Sequence, residues 1–220
     1  MGISERRERE KNERRQTILN CAKELILSQG VERVSMEDIA QKAELSKATV
    51  YLYFSGKEVL FNEICEEAAR KFLGHFTPIL ESGLTGMDAM KLFWRGYLEI
   101  FGSFDDMVII LKVRSFLTPG LPIVMLETEK KSPYVNAIIE AVKTLIEQCK
   151  TEGVFDPDLD STMATRLLLS MFSSFVENAA RIPAEGRKSQ AVINEMTNAF
   201  QIVIRGFARE GIDRACLNIG

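Results

Sequence analysis

The sequence predicts an all-α protein, with three small helices in front and a larger helical bundle behind. Three observations lead to this prediction. Apolar residues recur at three- and four-residue intervals along most of the chain, serines stand where several of these segments begin, and Gly and Pro separate them. The 220 residues are 46% hydrophobic and 27% charged, which is typical of a globular protein with a sizeable core.

The periodicity places the helices in order along the chain. The first covers residues 8–29, where apolar residues share one face, and Gly30 ends it. Pro78 is expected to lie between the fourth helix and the fifth. Further helices are predicted at 36–43, 47–54, 56–76, 86–102, 105–117, 121–151, 159–181 and 189–210.

The composition disfavours several classes of protein. No apolar run approaches the roughly 18–20 residues of a membrane helix, and the charged N-terminus has no apolar segment of a secretory signal behind it. A cytoplasmic location is therefore expected. The four cysteines, at 21, 65, 149 and 216, are scattered, which is typical of reduced, structural thiols.

Catalytic and metal motifs are not found in the sequence. The chain has one His, no Gly-rich phosphate loop and no nucleophile elbow, so we predict neither an enzyme, a catalytic residue nor a cofactor. Asp156, Asp158 and Asp160 resemble the start of a calcium loop. Ser161 and Leu167 stand where such a loop needs Gly and Glu, so we predict helix-capping acids and no metal site.

Three serines mark helix starts at short intervals. Ser35 and Ser55 are each followed three residues later by an acid, which is the pattern of a capping box, and Ser46 lies between them as a simple N-cap. The two short helices on either side of residues 43–45 have the length and turn size of a helix-turn-helix.

The helical wheel of residues 46–54 separates three surfaces. Val50 and Phe54 share the side that faces the core. Ala48, Thr49 and Leu52 lie on the opposite side. The flanks carry two phenols and two ammonium groups, and no acid occurs between Leu45 and Lys57: these flanking residues are Lys47, Tyr51, Tyr53 and Lys57.

This arrangement suits a helix laid into the major groove of DNA. The flanking hydroxyl and ammonium groups can reach phosphates and position the helix, while the small and apolar residues at its centre meet base edges. The alternative is a helix buried on both sides, which the flanking lysines and the missing acid disfavour.

Residues 35–60, SMEDIAQKAELSKATVYLYFSGKEVL, resemble the DNA-binding segment of the TetR family of bacterial transcriptional regulators. The preceding ILNCA at 18–22 and Gly30 match that family's first helix and its end, so the specific resemblance covers about residues 14–64. Glu44 departs from the pattern, because the family usually has Gly in this turn. A left-handed Glu44 would cost about 1 kcal/mol relative to Gly.

The resemblance implies a helix-turn-helix DNA-binding domain at 1–60, with its motif at about 35–54, and an effector-binding and dimerisation domain at 61–220. Carried over by position, it implies that these residues contact double-stranded operator DNA: Ser35, Met36, Glu37, Ser46, Lys47, Ala48, Thr49, Tyr51, Leu52, Tyr53 and Lys57. Glu37 would face a base amino group or support the helix N-terminus.

The charged arm at residues 5–15 has two interpretations. It holds six basic and four acidic residues, so it is expected either to extend the first helix through pairs such as Glu10–Arg14, or to place Arg6 and Arg7 in a minor groove. The helix extension is the simpler of the two.

The back of the chain offers candidates for an apolar effector cavity. Aromatic and Met residues at helical spacing usually form a core, but given the resemblance we expect a cavity for an unidentified small apolar or amphipathic effector. The candidate lining residues are Phe72, Phe76, Trp94, Tyr97, Phe101, Met107, Ile110, Arg114, Phe172, Phe175 and Asn178.

The last two predicted helices carry more apolar surface than one packing face needs. A helix with two apolar stripes buries two sides, one of which can meet a second copy of the chain in a four-helix interface. The candidate interface residues are Leu168, Phe172, Phe175, Val192, Met196, Ala199, Phe200 and Val203.

The expected function is therefore that of a homodimeric, ligand-responsive repressor in the cytoplasm. The alternatives are a helical ligand-binding or interaction protein without operator binding and, with least support, an enzyme. Salt-steep retention on heparin or random duplex DNA separates the first from the others.

Overall fold

The computed structural model describes residues 3–102, 105–117, 132–180 and 189–219, and the prediction of an all-α fold is confirmed. Within these residues the only β-type pairing is an isolated bridge between Phe155 and Ala208. The helices in chain order are α1 (Ile3–Gln29), α2 (Met36–Lys42), α3 (Lys47–Tyr53), α4 (Lys57–Leu80), α5 (Gly86–Gly102), α6 (Asp105–Leu117), α7 (Pro133–Thr151), α8 (Ser161–Ala180) and α9 (Gln190–Phe207).

The largest differences between the observed and the predicted helix boundaries are in α1, α4 and α7. Helix α1 begins at Ile3, so the charged arm is part of the helix. Helix α4 continues past the expected stop at Pro78 and ends two residues later, at Leu80. Pro78 has no main-chain N–H, so α4 lacks one helical hydrogen bond at this residue. The predicted helix at 121–151 is observed from Pro133, and residues 121–131 lie outside the described part.

The chain divides into two compact units, and the front unit comprises Met1–Ala68 together with Asp105–Gly120. Its core joins the buried faces of α1, α2 and α3 to the start of α4. Helix α6 belongs to the same core, because Ile109 and Val113 are buried in it. Helix α6 therefore belongs to the front unit, although it begins about 50 residues after α3 ends.

A buried ion pair joins α1 to α4 in the front unit. Lys23 donates from Nζ to Glu67 Oε2 at 2.9 Å, and both side chains are almost fully buried. A buried charge needs such a partner, since an isolated one would carry a large desolvation cost. This pair fixes the rotation of α1 against α4.

The back unit comprises Ala69–Phe104 and Leu121–Gly220. Helix α7 packs on α5 and α8, and α8 packs on α9. Aromatic rings fill the interior: Phe76 lies 4.3 Å from Phe93 between centroids, and Trp94 stacks on Phe200 at 4.5 Å. These rings make the core of the unit.

The start of α5 is held closely against the end of α7. Both oxygens of Glu152 accept from the main-chain N–H of Gly86, at 3.0 and 2.8 Å. The carboxylate thereby satisfies a helix N-terminus that has no internal partner. A Cβ on Gly86 would lie 2.7 Å from Cys149 Sγ, so this position requires Gly.

None of the described helices is long and apolar enough to cross a membrane.

Candidate nucleic-acid interface

Helix α2 begins with the capping box that the sequence predicts. The main-chain N–H of Asp38 donates to Ser35 Oγ at 3.1 Å, and the main-chain N–H of Ser35 donates to Asp38 Oδ2 at 2.9 Å. These hydrogen bonds hold the pKa of the Asp38 carboxyl below its usual value, with the Ser35 hydroxyl as the largest cause. The reciprocal bonds fix where the first helix of the motif starts.

The turn between α2 and α3 is a Schellman motif centred on Glu44. This residue is left-handed, with φ of 56°. Its N–H donates to Gln41 O at 3.1 Å, and the N–H of Leu45 donates to Ala40 O at 2.9 Å. Glu44 therefore has the left-handed conformation for which the sequence predicts a cost. The two hydrogen bonds of the turn stabilise this conformation.

Helix α3 is seven residues long, and both of its ends are anchored. At the N-terminus Ser46 caps the helix by accepting from the Thr49 main-chain N–H at 3.1 Å. The Thr49 hydroxyl lies 2.8 Å from Ser46 Oγ, within the same cap. Val50 and Phe54 are fully buried in the front core, as the helical wheel predicts.

By contrast, Ser55 makes no side-chain hydrogen bond among the described residues, so the prediction that it caps α4 is wrong. Helix α4 begins at Lys57, directly after Gly56.

The outward face of α3 is the most unusual surface of the front unit. Leu52 is 85% exposed at its centre. Tyr51 is also exposed, and Tyr53 is half-buried on the other flank. Ser46, Lys47 and Ala48 are exposed and Thr49 is half-buried. The face therefore joins apolar, hydroxyl and ammonium groups without an acid, as base-edge and phosphate contacts require.

Two predicted DNA-contacting residues of α2 lie in different environments. The Met36 side chain is buried in the core, so the prediction for this residue can apply only to its main-chain N–H. Glu37 is exposed and accepts from Lys47 Nζ at 3.2 Å. The first turn of α2 thus places an acid beside the basic flank of α3.

Lys57 is held against two aromatic rings in the front unit. Its Nζ lies 4.6 Å from the centroid of Phe116 on α6 and 5.3 Å from that of Phe61, and it donates to Glu32 O at 3.3 Å. Partial burial lowers the pKa of the ammonium group, against the opposing effect of nearby Asp38. A phosphate contact from Lys57 would exchange these contacts for one with DNA.

Arg15 contacts α3 and α4 together, and it is not among the residues that the sequence predicts for the site. Its Nη1 donates to Tyr53 O at 3.2 Å and its Nη2 lies 3.2 Å from Glu63 Oε2. The guanidinium carbon is 4.4 Å from the Phe54 ring centroid. No local pattern reveals these contacts, because each partner is at least 38 residues away from Arg15 along the chain.

The arm at residues 5–15 is an exposed extension of α1. Its ion pairs join Arg6 to Glu10 at 2.9 Å and Arg9 to Glu13 at 3.6 Å. The register therefore differs from the expected Glu10–Arg14 pair, although the four-residue spacing is the same.

The candidate effector residues do not form one set. In the back unit Phe76, Trp94, Tyr97 and Phe172 are buried together, and Tyr97 Oη donates to Phe172 O at 2.8 Å. Phe72 and Phe175 are half-buried, and the Phe72 ring lies 4.6 Å from that of Phe76 between centroids. The buried aromatic cluster of the back unit therefore includes only some of the candidates.

The other candidates lie elsewhere. Asn178 is exposed on α8, so it does not line an enclosed cavity. Ile110 and Arg114 lie on α6, within the front unit. The side chains of Phe101 and Met107 are outside the described part of the structure.

Arg114 has a half-buried environment on α6. Burial lowers the pKa of its guanidinium group. The charge of Arg114 in turn opposes the burial-driven rise in the pKa of the Cys65 thiol to about 12. The thiol is therefore protonated at neutral pH, as expected of a structural cysteine.

Half of the predicted dimer-interface residues are unsuited to that role. Leu168, Phe172, Met196 and Phe200 are buried within their own unit. The half-buried members of the set are Phe175, Val192, Ala199 and Val203. Among the described side chains, the exposed large apolar residues of α8 and α9 are others: Met163, Leu167 and Ile202, with Ile202 70% exposed. Two apolar stripes on one helix do not indicate which faces inward.

Part of the front unit matches a known protein family. Residues 18–64 match the family described as "Bacterial regulatory proteins, tetR family". The transcriptional regulator UidR of Escherichia coli K12 is 24% identical over 165 residues, which cover 71% of this chain and 76% of UidR.

Solved structures show the same fold over nearly the whole chain. The TetR family regulator PfmR of Thermus thermophilus matches with a TM-score of 0.67 and 24% identity, over 87% of this chain and 99% of PfmR. The ketosteroid transcriptional regulator KstR2 of Mycobacterium tuberculosis matches with a TM-score of 0.65 and 18% identity, over 90% of this chain and 96% of KstR2.

Proposed function

Because the chain belongs to the TetR family of bacterial transcriptional regulators, we propose that it is a homodimeric repressor that a small effector releases from its operator. One observation carries the DNA-reading part of this proposal. Leu52 is 85% exposed at the centre of a short, doubly anchored helix with basic flanks. A large apolar side chain held there is costly in water and favourable against a thymine methyl group.

The residues around Leu52 supply the positioning contacts. Lys47 and Tyr51 are exposed on α3 and can reach a phosphate, as can the hydroxyl of Tyr53 on the opposite flank. Ala48 adds a small apolar surface for base edges. A regulator of bacterial DNA acts where that DNA is, so the expected location is the cytoplasm.

The exposed apolar residues of α8 and α9 support a dimer. Met163 and Leu167 are one helical turn apart and so share a face of α8, and Ile202 lies on α9, which packs on α8. Two copies that bury these residues would form the four-helix interface expected of the family, and the resulting two-fold symmetry would match paired half-sites about one DNA turn apart.

The aromatic interior of the back unit supports an apolar effector. Trp94 is 1% exposed, and its Nε1–H has no hydrogen-bond partner among the described residues. Buried donors are nearly always paired, so an unpaired one requires an explanation. A hydrogen-bond acceptor on a bound effector would provide it. A protein of the same fold, KstR2, is named a ketosteroid transcriptional regulator, and a ketosteroid is apolar with carbonyl acceptors.

Repression and release are linked energetically in this proposal. The effector binds the state of the dimer in which the two α3 helices no longer match the half-site spacing. Operator and effector must then weaken each other's binding by the same factor.

The DNA-reading part is tested by selection from random-sequence duplex DNA. The purified protein is incubated with the pool at about 100 mM salt, and the retained fragments are sequenced. We expect a palindromic site with half-sites about one helical turn apart, bound with an affinity that falls steeply with salt. Retention of no fragment, or of all fragments equally, would contradict operator binding.

The dimer is tested by mass measurement in solution. Leu167→Glu combined with Ile202→Glu should convert the dimer to a monomer, because two charges would be buried at the interface. Leu92→Glu is the matched control, since Leu92 is exposed on α5. A wild-type monomer, or a dimer that survives the double substitution, would contradict this interface.

The effector site is tested through Trp94, the single tryptophan of the chain. A screen of apolar carbonyl compounds should find ligands that change its fluorescence and release the selected operator. Trp94→Phe keeps an aromatic ring and removes the N–H. It should weaken the best carbonyl ligand about tenfold, as measured for both proteins by release of the operator. Equal affinity for both proteins would exclude Trp94 as the donor.

A further inference from the structure

We infer that Arg15 is a positioning residue for DNA reading: it holds the C-terminal end of α3 from α1 and does not itself contact DNA. The inference rests on the proposed function, since it takes α3 as the helix that reads the operator. It concerns a residue of α1 outside the helix-turn-helix.

The three contacts of Arg15 converge on the end of the recognition helix. One guanidinium nitrogen donates to the carbonyl oxygen of Tyr53, the last residue of α3, and the planar group lies over the ring of Phe54. A second nitrogen pairs with Glu63 on α4 at 3.2 Å. A planar guanidinium can satisfy an oxygen on each side and stack at the same time, which an ammonium group cannot do.

Helix α3 needs an external anchor because it is short. Seven residues are far below the roughly 12–15 at which an isolated helix becomes marginally stable, so its order must come from contacts outside itself. Val50 is the buried residue of the helix, and Ser46 anchors its N-terminal end. The carbonyls at the C-terminal end lack helical partners, and Arg15 supplies a donor to one of them.

Arg15 also lies on the inward side of α1. Ile18 and Leu19, three and four residues further on, are both buried in the front core, and the Arg15 side chain is 34% exposed. The neighbouring Arg14 is exposed and makes no ion pair or hydrogen bond among the described residues. The chain therefore offers a matched control in the same helical turn.

A direct phosphate contact is the competing role for Arg15, and the two roles predict different salt dependences. Loss of one phosphate contact lowers the slope of log affinity against log salt by about 0.9, because one fewer counterion is released. Loss of a positioning contact lowers affinity at every salt concentration and leaves the slope unchanged.

The experiment compares wild type with Arg15→Gln and Arg14→Gln, which remove the same charge from adjacent positions. Hydrogen exchange is measured on the DNA-free protein, and binding is measured on the duplex selected from random sequence at several salt concentrations. For Arg15→Gln we expect the Val50 and Phe54 amides to exchange about tenfold faster, operator affinity to fall about tenfold, and the slope to stay that of wild type. Arg14→Gln should leave the exchange of these amides unchanged.

Unchanged exchange of the α3 amides in Arg15→Gln would overturn the inference, as would a slope reduced by about 0.9. If Arg15→Gln accelerates exchange throughout α1 as well, the variant Arg15→Lys distinguishes a local effect on α3 from a general loss of stability. The lysine keeps the charge and should accelerate exchange in α3 only, and a uniform acceleration would refute a local role. If wild type binds no duplex, the proposed function fails, while the exchange data still test the Arg15 contact.

Discussion

Lys47 Nζ lies 3.2 Å from Glu37 Oε2, so an exposed ion pair joins the first turns of the two helices of the motif. Both side chains are more than half exposed, and such a pair contributes little to folding. The pair matters for DNA binding. If α3 lies in the groove, the Glu37 carboxylate is close to the DNA phosphates, and it pairs with the Lys47 ammonium group that would otherwise contact them.

Glu37→Gln should therefore strengthen DNA binding. The substitution removes a negative charge near the phosphates and leaves Lys47 unpaired. Two unit charges about 4 Å apart in water interact by about 1 kcal/mol, so removing the repulsion between Glu37 and a phosphate should raise the affinity for DNA about fivefold. Fluorescence anisotropy with the selected operator and with a scrambled duplex measures the change. A loss of affinity for the operator alone would instead show that Glu37 reads a base amino group.

Leu52→Ala should reduce operator affinity without affecting the fold. The side chain is exposed, so its removal creates no cavity and should leave the thermal midpoint unchanged. Leu52→Ala removes three apolar carbons from the base contact, which should cost about 2 kcal/mol against the correct operator and less against a scrambled duplex. Val59→Ala, at an exposed apolar position on α4, is the control. Equal losses for both duplexes would contradict base reading by Leu52.

Acidification should remove the contribution of Asp38 to the stability of the front unit. The folded-state pKa of this carboxyl is depressed by the Ser35 hydroxyl, so its contribution is present above the unfolded value of about 4 and is lost as pH falls through the folded value. The difference in thermal midpoint between wild type and Asp38→Asn should stay constant from about pH 7 to about pH 5 and shrink from there to about pH 3. A difference that persists undiminished at the acid end would show that the capping box is not charge-dependent.

Gly86→Ala should destabilise the back unit. The new Cβ would lie 2.7 Å from Cys149 Sγ and 2.8 Å from the Cys149 main-chain nitrogen, so α5 and α7 would have to separate. Overpacking of this kind costs about 1–3 kcal/mol, which calorimetry would detect as a drop of several degrees. Gly74→Ala is the control, because a Cβ there meets nothing within 4 Å in the interior of α4 and should stabilise the helix by about 1 kcal/mol. An unchanged midpoint for Gly86→Ala would contradict the close packing.

Local signals in the sequence predict the helix-turn-helix well. Ser35 and Ser46 determine where α2 and α3 begin, and each is found capping the helix that its position predicts. Burial of Val50 and exposure of Leu52 follow from the helical period alone. These features depend on residues within one or two turns of each other, so a sequence pattern is sufficient to predict them.

The features that the sequence did not reveal depend on distant contacts. Arg15 meets Tyr53 across 38 residues, and Lys57 meets Phe116 across a still longer interval, so no spacing rule connects them. Leu168 and Leu167 are adjacent and equally apolar, yet the first is buried and the second exposed. Only the packing of α8 against its neighbours decides which apolar stripe faces the core.

Operator binding by the double variant Lys47→Ala with Tyr51→Ala tests directly whether α3 is the helix that reads DNA. Both side chains are exposed on α3, so the variant should fold and keep the oligomeric mass of wild type. Titration of the selected operator at about 100 mM salt should show affinity reduced to that for a scrambled duplex, because the contacts that position α3 in the groove are lost. Wild-type affinity for the operator in this variant would contradict the assignment of α3 as the DNA-reading helix.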